Sequence, residues 1–513
     1  MAVDKVRALY PRVAEYFGKI RNGNRYLEHI LEVDSFWQNI EHSPCSKVVL
    51  HGSEMPEDAC ISDEYDLVYA GGTLGLLHAA LMASKYGRKV LVFDRHVSGK
   101  PSRDWNISRD ELEKLEQVGL FSYEEINASI ACRYKTGWAE FYVENGRKKR
   151  LYLDNVLDCA IESDKLLSIA KQKILADEAS RVLDKMTFMR CFQFPGSVVI
   201  EVENSMHERV YFSAKVFVDA MGAHSSVAMQ LNDGASFTHL CPTVGTVSSG
   251  LENVEPDIGE ILVSTEPADT SSGRGRQLIW EGFPAGGDRY TTYLFFYDSR
   301  SSDNDKSLLG LFETYFRKLP SYKKPGKDFV VHRPVYGVIP AYYHDGFGRT
   351  RQVADNNILM LGDAAALGSP LTFCGFGSFV RNFKSLTEGL ESALACNGYE
   401  KKNLEEISAY EPNVAAMANL MKYMCYNKHT DHSNFVNELM NEVMIVLDSL
   451  PPRYREAMFK DTLELSDLLL IGLNVARKYP GVLMATASKL GLDGTLGMMK
   501  NMIGWAMSSK ASN

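Results

Sequence analysis

The stretch DLVYAGGTLG, residues 66–75, predicts a short buried strand that runs into a glycine-rich turn. The apolar-periodic segment LGLLHAALMASKYG (74–87) predicts a helix after the turn, and KVLVFD (89–94) predicts a second strand. A strand, a glycine turn, a helix and a second strand within roughly 30 residues are typical of a Rossmann-type dinucleotide-binding unit. The sequence therefore predicts an α/β domain that binds a dinucleotide.

The glycines and the acid of this unit have separate expected roles. Gly72 lets the backbone approach a pyrophosphate, which the amides at the helix start face, and Gly75 lets the helix pack closely on the strand. Asp94 ends the second strand, where a carboxylate binds ribose hydroxyls. Ala70 replaces the usual first glycine, and alanine can make the turn if its φ is negative. The predicted cofactor-binding residues of this unit are Gly71, Gly72, Thr73, Gly75 and Asp94.

A second motif, NNILMLGDAAALGSP (356–370), predicts another buried strand (358–361) that ends in a Gly-Asp turn. Small residues around an acid at a strand end suit close packing against a ribityl chain, and Asp363 is predicted to bind a ribityl hydroxyl. The helix pattern SFVRNFKSLTEGLESALA (378–395) follows, and its N-terminus would carry about half a positive charge, which favours an anionic reduced flavin. The predicted cofactor-binding residues here are Gly362, Asp363, Pro370, Gly375 and Gly377.

A third segment, VFVDAMGAHSS (216–226), reads as a strand followed by a turn at Gly222, which resembles the turn that closes the nucleotide half of many flavoproteins. Each motif alone could be an ordinary turn between a strand and a helix, without a nucleotide. Their order along the chain is the order found in FAD-binding proteins, so FAD is the predicted common ligand.

These motifs give an α/β fold class: a two-dinucleotide-type Rossmann FAD domain, an inserted mixed β-sheet that binds substrate, and a C-terminal helical region. The predicted divisions are a helical N-terminal extension (1–62), the first part of the FAD domain (63–226), the substrate sheet (227–350), the returning FAD segment (351–395) and the helical region (396–513).

Composition excludes several classes of protein. A net charge of −9 with a pI of about 5.8 argues against a nucleic-acid partner, which would need a basic face. The nine cysteines form no CxxC-type pair, so we expect no metal site, no disulfide framework and a reducing compartment, either cytoplasm or plastid stroma. The acidic, weakly apolar N-terminus is not a secretory signal, and no apolar run approaches the roughly 18 residues of a transmembrane helix.

Two further surfaces suggest ligands. Arg103 and Arg109 flank Trp105 after the acidic strand end, and one of them is expected to reach the FAD adenosine or pyrophosphate. From Leu468 onward the chain carries five Lys or Arg and one Asp among many apolar residues. A basic amphipathic end in an acidic protein indicates contact with a membrane surface, and ordinary helical packing against the body is the alternative.

Six segments resemble the Cru-type lycopene cyclase flavoproteins, a family of bacterial lycopene cyclases and a plastid paralogue. The segments are DWNISRDEL (104–112), GRQLIWEGFPAGG (275–287), TTYLFFYDS (291–299), RPVYGVIPAYY (333–343), LGDAAALGSPLTFCGFGSFVRNF (361–383) and ISAYEPNVA (407–415). The similarity runs from about residue 35 to residue 425. It implies FAD, association with membranes, and a carotenoid or other hydrophobic isoprenoid as substrate.

Cyclisation of lycopene ends has no net redox change: an acid protonates a double bond, a carbocation forms and cyclises, and a base removes a proton. The acid should be a carboxylate on the substrate sheet among aromatic residues that raise its pKa. Glu281 in IWEGFP and Asp298 in FFYDS are the two candidates. Two alternatives stay open: an NAD(P)H-dependent reductase or monooxygenase, and a non-catalytic flavoprotein that binds a pigment or a partner.

Overall fold

The computed structural model describes residues 3–39, 46–101, 103–144, 146, 148–234, 237–270, 275–342, 351–368, 371 and 375–511. The strands are β1 (Val49–His51), β2 (Ile61–Ala70), β3 (Val90–Asp94), β4 (Trp105–Ile107), β5 (Ile130–Arg133), β6 (Thr136–Glu140), β7 (Arg150–Leu153), β8 (Cys159–Ile161), β9 (Arg181–Asp184), β10 (Thr187–Phe194), β11 (Ser197–Glu203), β12 (Arg209–Asp219), β13 (His239–Glu252), β14 (Ile258–Val263), β15 (Ile279–Pro284), β16 (Tyr290–Phe295), β17 (Asp298–Ser299), β18 (Lys324–Ala341), β19 (Ala354–Asp355) and β20 (Ile358–Met360). The helices are α1 (Val3–Leu9), α2 (Pro11–Lys19), α3 (Gly23–Asn39), α4 (Leu74–Ser84), α5 (Arg109–Leu112), α6 (Lys114–Gln117), α7 (Tyr123–Ser129), α8 (Ser163–Leu175), α9 (Ser226–Leu231), α10 (Leu308–Tyr322), α11 (Gly375–Ala395), α12 (Lys401–Leu404), α13 (Pro412–Leu420), α14 (Phe435–Ser449), α15 (Pro452–Phe459), α16 (Leu465–Lys478) and α17 (Gly481–Ala511).

The first large sheet contains the strands predicted beside the glycine motifs. Its parallel core runs in the order β20, β12, β2, β3, β9. Both faces of a parallel sheet are buried, and β2, β3 and β12 accordingly carry continuous apolar runs. Ala70 at the end of β2 is in register with Asp219 on one side and Phe93 on the other. The turns that follow these strands therefore meet at one edge of the sheet.

Helices α4, α8 and α11 cover one face of this sheet, where Leu76, Leu167 and Phe383 belong to a single buried cluster. The other face carries a second cluster that includes Val68 and Phe217. The predicted α/β class, with a Rossmann-type domain, a second mixed sheet and a C-terminal helical region, is confirmed.

The second large sheet runs in the order β18, β13, β16, β15, β14, β6, β7, with β17 paired to one end of β13. All these pairs are antiparallel except β14 with β6. Strands β6 and β7 lie within the segment 63–226, which the sequence analysis assigns to the Rossmann domain. The chain thus contributes β6 and β7 to the second sheet, where β6 pairs with β14, and then returns to the first sheet at β9.

Helices from both ends of the chain cover the second sheet. On one face, α2 packs against α10, and the rings of Tyr16 and Phe316 stack with centroids 4.2 Å apart. On the other face, α14 packs against β6 and β7, and Leu468, Ile471 and Trp505 of α16 and α17 belong to the same buried cluster. Among the described residues, no helix is both long enough and apolar enough to span a bilayer.

Candidate functional site

A cleft of about 1070 Å³ lies where the carboxyl ends of β2, β3, β12 and β20 face β15, β16 and β18. Residues of α3 and the first turn of α11 complete its walls. The volume is at the upper end of the roughly 300–1,000 Å³ that small-molecule sites occupy. The cleft therefore has room for a ligand as large as a dinucleotide.

The two glycine motifs meet in this cleft. Gly362 has a φ of +60°, and a Cβ there would lie 2.8 Å from Cδ1 of Leu74 at the start of α4. Arg103 donates from Nη2 to Oδ2 of Asp363 over 3.3 Å, and both side chains line the cleft. One ligand in the cleft can therefore contact both motifs.

Close packing requires the glycines of the first turn. Gly71 has a φ of +120°, and a Cβ there would overlap the carbonyl oxygen of Ala220. The amide of Gly72 donates to Oδ2 of Asp94 over 2.7 Å, which ties the turn to the end of β3. A Cβ on Gly75 would lie 2.9 Å from Cβ of Ala220, so Gly75 allows α4 to approach β12. The neighbouring alanine at position 70 keeps the extended backbone of β2.

Replacement of Gly71 by alanine is expected to lower the free energy of unfolding by about 3 kcal/mol or more, because backbone strain adds to the overlap with Ala220. Gly87→Ala is a matched control, since its φ is also positive, at +63°, but no atom lies within 4 Å of the added Cβ. We expect the control to lose about 1 kcal/mol. Urea unfolding of both variants measures the difference, and equal losses would contradict the packing role of Gly71.

Two helices begin at the cleft. α4 begins at Leu74 and α11 begins at Gly375, and both of these residues line the cleft. The first N–H groups of a helix have no intrahelical acceptor and together carry a partial positive charge. Each helix start therefore favours an anionic part of a ligand.

The wall beside Asp94 is rich in basic side chains. Arg25 of α3 and Arg95 line the cleft together with His29 and His96. Burial lowers the pKa of His29 to about 4 and also lowers the pKa of His96, and the two arginines lower both further. The imidazoles are thus neutral at pH 7, whereas the guanidinium groups stay charged. This end of the cleft suits a diphosphate.

Another part of the cleft wall is aromatic. Trp105 of β4 stacks on Phe376 of α11 with ring centroids 4.4 Å apart. Phe283, Tyr293 and Phe379 also line the cleft, and all three are buried. An apolar ligand portion would contact these rings and lose its water.

Glu281 lies among these aromatic residues. Its side chain lines the cleft, only 4% of the residue is exposed, and no described group hydrogen-bonds to Oε1. Burial raises the pKa of the carboxyl group well above its usual range. Glu281 is in register with Tyr293, so two potential proton donors stand side by side on β15 and β16. Burial thus favours the protonated form of this carboxyl group.

The structure places most of the sequence-predicted site residues together. Those that line the cleft are Gly71, Thr73, Asp94, Arg103, Gly222, Glu281, Gly362, Asp363 and Gly375. Gly72 and Gly75 shape the first turn behind it, and Gly377 packs against Glu111, whose Oε1 would lie 2.8 Å from an added Cβ. Pro370 is outside the described residues.

Two predicted residues lie elsewhere. Arg109 begins α5, where its amide donates to Asp158 and its Nε donates to Glu113 over 3.1 Å, and it is not among the described residues that line the cleft. Asp298 also lies outside that wall. Its carboxylate accepts hydrogen bonds from Ser302 and Asn304, so it organises the loop after β17. Of the two candidate acids, only Glu281 faces the cleft.

Several residues of the cleft were missed in the sequence analysis. Tyr26 and His29 of α3 belong to a segment that the sequence marks only as a helical extension. Asp104 and Arg333 form a salt bridge across the cleft wall, although 229 residues separate them. The two residues lie in the family-like segments 104–112 and 333–343, and the presence of both segments was the signal from which this pair could have been predicted.

No protein-family model and no curated protein matches the sequence. Solved structures do match. A geranylgeranyl bacteriochlorophyll reductase-like protein from Thermoplasma acidophilum gives a TM-score of 0.58 at 16% identity, covering 83% of this chain and 99% of that chain. The chain shares its fold with this protein.

Two further matches are enzymes of other classes. Halogenase PltM in complex with phloroglucinol and FAD gives a TM-score of 0.55 at 13% identity, covering 86% of this chain and 96% of that chain. The p-nitrophenol 4-monooxygenase PnpA from Pseudomonas putida DLL-E4 gives a TM-score of 0.53 at 15% identity, covering 78% of this chain and 99% of that chain. Because one fold hosts several reactions, the reaction has to be inferred from the site.

Proposed function

We propose that this chain binds FAD in the cleft and acts on a carotenoid or another hydrophobic isoprenoid by acid-initiated cyclisation. The residues that line the cleft support the assignment of FAD as the cofactor. The turn at Gly71 and the start of α4 would hold the pyrophosphate, Asp94 the ribose, Asp363 the ribityl chain, and the start of α11 the flavin ring. The cleft shape fits, since Gly362 of the second motif packs against Leu74 of the first, and both residues line the cleft.

The buried carboxyl group of Glu281 carries the proposed reaction. Protonation of a carbon–carbon double bond needs an acid that keeps its proton in a dry site until substrate arrives. Glu281 fits both requirements, because burial raises its pKa, and Tyr293 beside it and Phe283 on the same strand line the cleft. An exposed glutamate would be ionised at pH 7 and would have no proton to donate to the double bond.

In the proposed reaction, the Glu281 carboxyl transfers its proton to a terminal double bond of the substrate. The electron pair of a second double bond closes the ring, and the Glu281 carboxylate takes back a proton from the ring, so product and substrate are isomers. Trp105, Tyr293 and Phe376 exclude water and face the carbocation with their π systems. Bound reduced flavin supplies negative charge that stabilises this cation.

The test is anaerobic incubation of FAD-loaded protein with detergent-dispersed lycopene, with the flavin photoreduced in one sample and oxidised in another. Chromatography follows the pigment and absorbance follows the flavin. We expect a cyclic isomer only with reduced flavin, without net flavin reoxidation. A protein that binds no FAD would refute the proposal at the cofactor. Bound FAD without a cyclic product would refute the reaction alone.

A second candidate is NAD(P)H-dependent reduction of the same class of substrate. It is favoured by the match with the geranylgeranyl bacteriochlorophyll reductase-like protein. The product would then gain two hydrogens, and flavin would be reoxidised in proportion. In air, a product heavier by oxygen with NAD(P)H consumption would indicate a monooxygenase. FAD binding without turnover of isoprenoids or quinones would favour a flavoprotein that binds a pigment or a partner.

We further propose that α16 and α17 contact an anionic membrane surface, from which a hydrophobic substrate would enter. Nine of the 17 exposed large hydrophobic residues of the described chain lie in these two helices. They are Leu469, Leu470, Leu473, Leu483, Met484, Leu492, Met499, Ile503 and Met507. Arg477 and Lys478 are exposed at the end of α16 and would face lipid phosphates.

The triple variant Leu483→Glu, Met484→Glu and Leu492→Glu is expected to bind vesicles of phosphatidylcholine and phosphatidylglycerol about 100-fold more weakly, because three exposed side chains lose their transfer into lipid. Met206→Glu is the control, since Met206 is 71% exposed and lies far from these helices in the sequence. Co-sedimentation measures binding. Equal binding by both variants and the parent would refute the membrane contact.

A further inference from the structure

Three side chains with metal-ligating atoms converge at the rim of the cleft. They are His29 and Glu32 of α3 and His96, which follows β3. One ligand atom from each lies within 4.8 Å of the other two. Two imidazole nitrogens and one carboxylate oxygen are a common donor set for Zn²⁺ and similar divalent metals.

The positions of the donors favour a shared ion. His29 and Glu32 are three residues apart on α3, which puts them on one helix face. The rings of His29 and His96 have centroids 4.6 Å apart and are inclined by 74°. Glu32 and His96 are exposed, so their side chains can rotate to shorten the ligand separations to those of a tetrahedral site.

His29 also has the outer partner that metal-binding histidines use. Its Nδ1 lies 2.6 Å from the hydroxyl oxygen of Tyr336 in β18. When Nδ1–H donates to this oxygen, the lone pair of Nε2 is free to bind an ion. Hydrogen bonds of this kind fix the tautomer and ring orientation of a ligand, and their loss typically weakens metal binding 10–100-fold.

We propose that His29, Glu32 and His96 bind one divalent transition metal ion, with Zn²⁺ as the representative, and that water takes the fourth position. The ion would join α3 of the N-terminal segment to the loop after β3 at the rim of the cleft. Arg25 and Arg95 lie nearby and oppose a cation, whereas Asp94 and Glu32 attract it. The site does not depend on the proposed flavin function, and it can be measured in flavin-free protein.

The experiment is titration of chelator-treated, flavin-free protein with Zn²⁺ in competition with a chromophoric chelator. We expect one Zn²⁺ per chain and a rise in Tm on binding. Glu32→Gln should weaken binding about 100-fold, and Tyr336→Phe about 10-fold. Glu28→Gln is the matched control, because Glu28 is an exposed glutamate one turn earlier on α3.

His96→Ala is the second variant, since His96 is exposed and its loss should leave the fold intact. Circular dichroism without metal confirms that each variant is folded. Weak binding by Glu32→Gln and His96→Ala, with parent-like binding by Glu28→Gln, would support the site. Less than one Zn²⁺ per chain in the parent, or equal affinities in Glu32→Gln and Glu28→Gln, would overturn it.

Discussion

Glu281→Gln is expected to lower turnover of the isoprenoid substrate by about 10³-fold while FAD binding stays unchanged. A positioned general acid contributes roughly 10²–10⁴-fold to rate, and glutamine has the shape of a protonated glutamate but cannot give up a proton. The side chain faces the cleft without a described partner for Oε1, so the replacement breaks no hydrogen bond at that atom. Anaerobic assay of product formation, with flavin absorbance for cofactor content, measures both quantities.

Asp298→Asn is the informative control, because Asp298 is the other acid predicted from the sequence. Its carboxylate lies in the loop after β17 and accepts hydrogen bonds from Ser302 and Asn304. We expect this variant to lose stability but to keep activity per folded molecule. Equal activity losses in the two variants would contradict the assignment of Glu281 as the acid.

The pH dependence of activity follows from the same carboxyl group. Glu281 acts in its protonated form, and burial raises its pKa well above the usual range. Activity should therefore be present at neutral pH and decline only as the pH rises through this raised pKa. A decline centred at about pH 4–5, as for an ordinary glutamate, would show that this buried carboxyl is not the acid.

Local patterns predicted the strands and turns that we propose to bind FAD. The run LVYAGG contains both a buried strand and its turn, and Asp94 ends the next strand, so no long-range information was needed. Glu281 could also be found, because it lies between Trp280 and Phe283 on a strand whose side chains are all buried.

Long-range packing decided what the sequence analysis missed. Arg103 and Arg109 both flank Trp105, yet α5 begins at Arg109 and directs it to Glu113, whereas Arg103 reaches Asp363. The position of β6 in the second sheet depends on pairing with β14, which follows it by more than a hundred residues. Such contacts leave no periodic signal in a single sequence.

Lys323→Met is expected to destabilise the protein by about 3–5 kcal/mol, because it leaves a buried carboxylate without its cation. Lys323 forms a salt bridge with Glu260, and the two side chains are 7% and 3% exposed. Its ammonium group also lies 5.7 Å from the ring centroid of Tyr290 and 5.2 Å from that of Tyr322. Glu260 is in register with Gly282, the neighbour of Glu281, so the pair supports the strand that carries the proposed acid.

The next residue provides the control for this prediction. Lys324 pairs with Glu252, but the two side chains are 64% and 49% exposed, so Lys324→Met should change stability by less than about 1 kcal/mol. The double variant Glu260→Gln and Lys323→Met should recover part of the loss, because it removes the unpaired charge as well. Urea unfolding at pH 7 measures all three variants. If Lys323→Met were no less stable than Lys324→Met, the buried pair would not hold β14 against β15. The position of Glu281 on β15 would then depend only on the aromatic side chains packed around that strand.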